Sequence, residues 1–333
     1  MKLLKLSLAL ALAASVFTSS ASHAAQYCIT AETALVSALT IATSSAEDDE
    51  IRFVKGLLNI NVNLDAMPKI LGSLALRGGY DAGCTSRSDS QAMTQIKSQN
   101  NRIRLFPRQQ SNITIERLDF DGLESFMVFD NIAETPGAYG LVLVSRSAFR
   151  NSDMGLWVSV LRHDVAVENS LFINNNRNSS SSGLILDNYY NTSTGQSSAA
   201  RVSNCTLRGN SFGLWIENGS VGPNSQIPSV VNVISYGNVI DLVLSRPAYV
   251  HHSMYRSLST TDTGALSTGS GNNSSTDPLL DANHRPKSGS RAIDSGDNAA
   301  VAVPLTARDY YGNTRIIGAT VDRGAVEKTA FGF

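Results

Sequence analysis

Two tryptophans and two carboxylates hold equivalent places in an apolar phrase that returns along the chain. The third residue of Gly155–Ser159, Gly183–Asp187 and Gly213–Glu217 is Trp157, Ile185 or Trp215, and the fifth is Ser159, Asp187 or Glu217. If these phrases are strands, alternation puts third and fifth residues on one face. Aligning Ser125–Asp130 and Asp241–Ser245 with them gives two outward rows: Val128, Trp157, Ile185, Trp215, Val243, and Asp130, Ser159, Asp187, Glu217, Ser245. Met127, Phe129 and the leucines at 156, 184, 186, 214, 242 and 244 then point inward, with Val158 and Ile216. Stacked neighbours would hold the two indoles about 10 Å apart with Ile185 between, a spacing able to seat sugar rings. Asp187 and Glu217 would be adjacent, and like charges there are costly unless a cation or basic group intervenes. Ca2+ fits two carboxylates chemically. A lyase would also need a base, for which Arg162 and Arg201 on flanking turns are the nearest candidates. The plainer alternatives are splayed, solvated carboxylates, and an indole stripe buried beneath the 188–198 loop or the C-terminal region.

His163-Asp164 and His251-His252 invite catalytic or metal readings. The first pair falls at a turn where polar residues belong. Adjacent histidines in a strand point to opposite faces, so His251 and His252 are not expected to share a metal. Asp294, Asp297, Asp309, Asp322 and Glu327 cluster near the C-terminus, where turn formation explains them more simply than calcium.

The elements that must position these residues follow from a longer repeat. An aliphatic residue begins each unit at Ile115, Val144, Val167, Val202, Val230 and Val250, at spacings of 29, 23, 35, 28 and 20. Two places on stand Arg117, Arg146, Asn169, Asn204, Asn232 and His252; five places on stand Phe120, Phe149, Phe172, Leu207, Ser235 and Tyr255. Alternating apolar positions with Asn at the bends are what stacked short strands require. The chain is therefore expected to be all-β, a right-handed single-stranded parallel β-helix (β-solenoid) with a short N-terminal capping helix. That helix is read over 30–43, with Thr30 as cap and Leu35, Ala38, Leu39 and Ala42 on one face. It would cover an open end whose unpaired edges could otherwise recruit further strands. The expected divisions are a signal peptide over 1–25, a cap and first coils over 26–105, β-helix repeats over 106–261, and a linker with a C-terminal region over 262–333.

Residues 1–25 carry Lys2 and Lys5, an apolar stretch from Leu6 to Phe17 and a small-residue run, the pattern of a secretory signal. Of 27 basic and 28 acidic residues in the whole chain, two lysines go with that signal, leaving a net charge of −3. Such a balance gives no electrostatic case for nucleic acid, and no later run is long enough for a membrane span. A monomer is expected. Three cysteines in an oxidising compartment imply one bridge, assigned to Cys28 and Cys84, with Cys205 buried and free.

Four C-terminal segments, Asp277-Pro278-Leu279-Leu280, the run from Gly289 to Gly296, Asp309 to Asn313 and Val321 to Glu327, resemble the choice-of-anchor Q region of secreted bacterial β-helix proteins. Arg291 departs from that pattern, which usually has Pro. Phrases such as Asn204-Cys205-Thr206-Leu207-Arg208-Gly209-Asn210 and Leu76-Arg77-Gly78-Gly79-Tyr80-Asp81 resemble the pectate-lyase-like group over most of 50–260. In pectate-lyase-like enzymes carboxylates on the corresponding sheet hold calcium beside an acidic sugar. Motifs that specify a fold do not assign a reaction. The expectation is an exported protein at the cell surface, in the periplasm or outside the cell, binding polysaccharide or another surface polymer through Trp157, Ile185, Trp215, Asp187 and Glu217. The alternatives are a calcium-dependent polysaccharide lyase with Asp187 and Glu217 as metal ligands, and a structural or adhesive protein without a small ligand.

Overall fold

The computed structural model describes residues 24–64, 69–87, 93–108, 110–130, 140–160, 163–188, 199–217, 226–301 and 308–329. Residues 1–23 of the expected signal, Arg162 and residues 189–198, read from the sequence as a loop, lie outside them. Every strand pairing between named strands is parallel, and the strands form three sheets of nine, seven and seven strands. From Leu74 to Leu244 each coil visits the first, second and third sheet in turn, for example through Gly140–Ser145, Ala148–Arg150 and Met154–Val160. The fold is a parallel β-helix.

The repeat maps onto this stack position by position. Ile115, Val144, Val167, Val202, Val230 and Val250 pair in succession along the first sheet. Phe120, Phe149, Phe172 and Leu207 do so along the second. Their rings stack inside at 5.2 Å and 5.4 Å. Each such fully buried Phe contributes about 1.5–3 kcal/mol of apolar transfer, before the smaller gain from ring stacking.

Between the first and second sheets every coil turns on one residue with positive φ. Arg117, Arg146, Asn169, Asn204, Asn232 and His252 have φ between 47° and 57°, and Asn272 continues the series at 52°. Asn is favoured there because its short side chain tolerates the left-handed region and bonds locally. At the next corner Asn175, Asn210 and Asn238 form a buried ladder. Asn210 Oδ1 accepts from the Asn175 backbone N–H at 2.9 Å, Asn238 Oδ1 accepts from that of Asn210 at 2.9 Å, and their amides donate to carbonyls of Phe149, Phe172 and Leu207. These amides satisfy backbone groups that a bend would otherwise strand in the core.

A 13-residue helix, Glu32–Ser44, interrupts the first coil and packs on its strands. Leu35, Ala38, Leu39 and Ala42 are buried, as the sequence predicts. Thr30 is not the cap: Ala31 occupies that position without a side-chain bond. The Glu32 carboxylate instead accepts from the backbone N–H of Asn61. A disulfide joins Cys28, on the outermost strand Gln26–Ile29, to Cys84 beyond the strand Leu74–Tyr80, with Cα atoms 5.6 Å apart. Cys205 is free and buried, and burial pushes its thiol up to about 12.

The C-terminal region runs along the outside of the second sheet. Tyr310, Ala325 and Val326 pack against Ala148, Leu171 and Ile173. Arg315, fully buried, donates to the carbonyls of Asp322 and Gly324 and to Asn204 Oδ1, with Glu327 3.8 Å away. Among the described residues no helix is long and apolar enough to cross a membrane.

Candidate functional site

Trp157, Ile185, Trp215 and Val243 are successive partners across four strands of the third sheet. Leu156, Leu184, Leu214 and Leu242, one residue earlier, are all core residues. The two tryptophans therefore share one outer face, two strand spacings or about 10 Å apart. Both indoles are half-buried, whereas Ile185 and Val243 are buried between and beside them. Trp215 Nε1 donates to Ser245 Oγ at 3.1 Å, and Trp157 Nε1 has no hydrogen-bond partner among the described residues.

One end of the predicted row is displaced. Trp157 pairs with Met127, not Val128, because the strand Met154–Val160 carries one extra residue between Met154 and Leu156 relative to Ser125–Asp130. A one-residue slip exchanges the two faces of a strand. Val128 is consequently in the core and Phe129 lies outside, where its ring meets Trp157 edge-on at 5.0 Å. Phe106 stacks on Phe129 at 6.5 Å, so the aromatic patch extends one coil further than predicted. Asp130 turns inward with the strand. Its carboxylate meets Nδ1 of the fully buried His163 at 3.1 Å, while Nε2 of that ring lies 3.0 Å from the carbonyl of Ser111. His163 opens a strand, His163–Glu168, instead of sitting in a turn, and no solvent reaches it. Asp164 points the other way and accepts from the backbone N–H of Ala199 at 2.8 Å.

In the second outward row Asp187 is buried and accepts from Ser159 Oγ at 3.0 Å. Glu217 follows it on the next coil, its N–H bonded to the carbonyl of Leu186. Burial first, and then the neighbouring Asp187 charge, raise the Glu217 carboxyl above its ordinary range. The field of Asp187 also reaches the buried Arg246, whose guanidinium burial lowers to about 10 and Asp187 pulls back upward. Arg246 was not singled out in the sequence; its one signal is that it directly follows Ser245, the member of this row one coil beyond Glu217. Arg201 belongs to the first sheet, where it pairs with Glu168 at 3.2 Å. Comparison of the chain with known protein families, with curated proteins and with solved structures finds no match.

The five C-terminal acids are held in a network of turns. Asp309 accepts from the backbone N–H groups of Asn313 and Glu327, and Asp322 from those of Asp294 and Lys328. Asp297 accepts from Ala299 N–H through Oδ1. The histidine pair departs from the strand rule. His251 ends the strand Tyr249–His251 and His252 is the left-handed bend residue, so alternation stops between them. Their Nδ1 atoms lie 3.3 Å apart.

Proposed function

We propose that this is an exported β-helix protein that binds a polysaccharide or similar surface polymer along the outer face of its third sheet. The observation that carries the reading is the placement of Trp157 and Trp215 on one wall with Ile185 between them. Phe129 and Phe106 lengthen that apolar track, and the half-buried Glu217 supplies a charged group along its edge, whereas Asp187 and Arg246 are buried. Aromatic faces next to hydrogen-bonding groups suit a ligand that is apolar on its ring faces and polar at its rim. The disulfide accords with an oxidising compartment. We assign the C-terminal segments to the choice-of-anchor Q type and the coils to the pectate-lyase-like group on the motifs quoted above.

The lyase reading has weaker support, because Arg246 already provides positive charge near Asp187. Retention on immobilised neutral and uronate glycans separates the cases. Trp157→Ala and Trp215→Ala are each expected to weaken retention about 2- to 10-fold, the scale of one lost aromatic contact. Undiminished retention in both would remove the aromatic face from the binding site. Release of unsaturated uronate products, abolished by a chelator and by Asp187→Ala, would establish the lyase instead.

A further inference from the structure

We propose that His251, His252 and Asp297 form a binding site for a transition-metal ion of the zinc class, which ties the C-terminal region to a late coil of the β-helix. One ligand atom from each residue lies within 4.8 Å of the others, the only such group of three among the described residues. At zinc–nitrogen bonds of about 2.0–2.1 Å, two imidazoles on a tetrahedral centre stand about 3.3 Å apart. The observed Nδ1 to Nδ1 distance is 3.3 Å, and Asp297 Oδ2 is 3.9 Å from His251 Nδ1. Only a small closing movement of the carboxylate separates this arrangement from a coordinating one.

The backbone holds all three in place. The positive φ of His252 turns its ring toward that of its predecessor. Asp297 is pinned to the Asn232 bend by two hydrogen bonds, its N–H to Asn232 Oδ1 at 2.7 Å and its carbonyl from Asn232 Nδ2 at 3.0 Å. A side chain at Gly296 would strike Val321 and Asn232, so glycine permits this close approach. Because Asp297 Oδ1 caps Ala299, Oδ2 is the oxygen left toward the histidines. Behind His252 the Asn272 amide lies 3.2 Å from Nε2, placed as the outer partner that a metal-bound imidazole needs; with Nδ1 on metal, its oxygen would face the ring N–H. Two imidazoles and one carboxylate select Zn2+, Cu2+ or Ni2+ over Ca2+ and Mg2+, and leave a fourth position for water.

The test uses untagged, chelator-stripped protein titrated with Zn2+ by calorimetry, and thermal melts with Zn2+, with Ca2+ and without metal. The expected result is one Zn2+ per chain and a melting temperature raised by Zn2+ but not by Ca2+. His252→Asn keeps a residue that other coils use at this bend, and Asp297→Asn keeps an oxygen for the cap, so both are expected to fold without metal. Each should lower Zn2+ affinity by more than ~10-fold, since even outer partners contribute about 10- to 100-fold, and abolish the Zn2+-dependent rise. Absence of stoichiometric Zn2+ binding, or a Zn2+ affinity unchanged from that of the unaltered protein in both variants, overturns the proposal.

Discussion

At the scale of single residues, the bend positions carry both the turn and the link to the C-terminal region. Asn204 adopts φ 52°, accepts from Asn232 Nδ2 at 3.0 Å and accepts from Arg315. Asn204→Val would place a β-branched residue in the left-handed region and leave buried donors without their acceptor. A loss of about 2–4 kcal/mol is expected, read as a lower denaturant midpoint. Asn204→Gly tolerates the same φ and should lose less, because only the hydrogen bonds go. Equal losses would show that backbone strain is unimportant at this corner. The repeat identifies these positions in the sequence because residues able to take positive φ recur at a fixed offset from an aliphatic residue. The convergence of His251 and His252 escapes the same reasoning, since the rule of opposite faces fails at the left-handed bend.

At the scale of elements, the exposed end of the first sheet is managed by a helix and a staple. Among the described residues the strand Gln26–Ile29 pairs only with Asp49–Val54, and the Cys28–Cys84 bridge ties it to the turn beyond the next strand. Replacing both cysteines with serine is expected to destabilise the fold by about 2–4 kcal/mol. Amide exchange over 26–29 should rise more than exchange over 140–145, in the middle of the stack. Uniform acceleration across both segments would mean that the bridge supports the fold globally instead of locally. The extra residue in Met154–Val160 is also an element-scale feature. Repeat spacing alone did not reveal it, because Ser125–Asp130 and its successors share the same hydrophobic character and only the pairing register tells which residue faces inward.

At the scale of the whole molecule, several carboxyls are buried where the C-terminal region and the coils meet. Burial raises the Glu327 carboxyl to about 8 against the pull of Arg315, and burial raises those of Asp322, Asp119 and Glu168. A carboxyl whose folded value exceeds its unfolded value of about 4.3 holds a proton in the folded state that the unfolded chain has lost. The Glu327 contribution therefore falls as pH rises from about 4.5 to 8; below about 6.5 it is opposed by His284, which burial lowers to about 4, so the net decline in stability is expected from about 6.5 to 8. Melting temperatures across that window test this, and Glu327→Gln should flatten the upper part of the decline. A melting temperature that climbs over the same range would indicate that Glu327 is ionised beside Arg315.

The sequence by itself determined the coil. Its aliphatic and aromatic columns, its left-handed bends and its capping helix depend on local periodicity and residue type, which are written in chain order, and the pairing of Cys28 with Cys84 follows from a count of three cysteines with two in the N-terminal part. Tertiary structure decided what stands beside what. The slip that turns Phe129 outward and Asp130 inward, the reach of Asp187 to Arg246, the course of the C-terminal region over the second sheet and the meeting of Asp297 with His251 join residues on different coils or across dozens of residues. Those contacts depend on strand register and on where a long segment finds its apolar partner, and neither leaves a periodic trace in the chain.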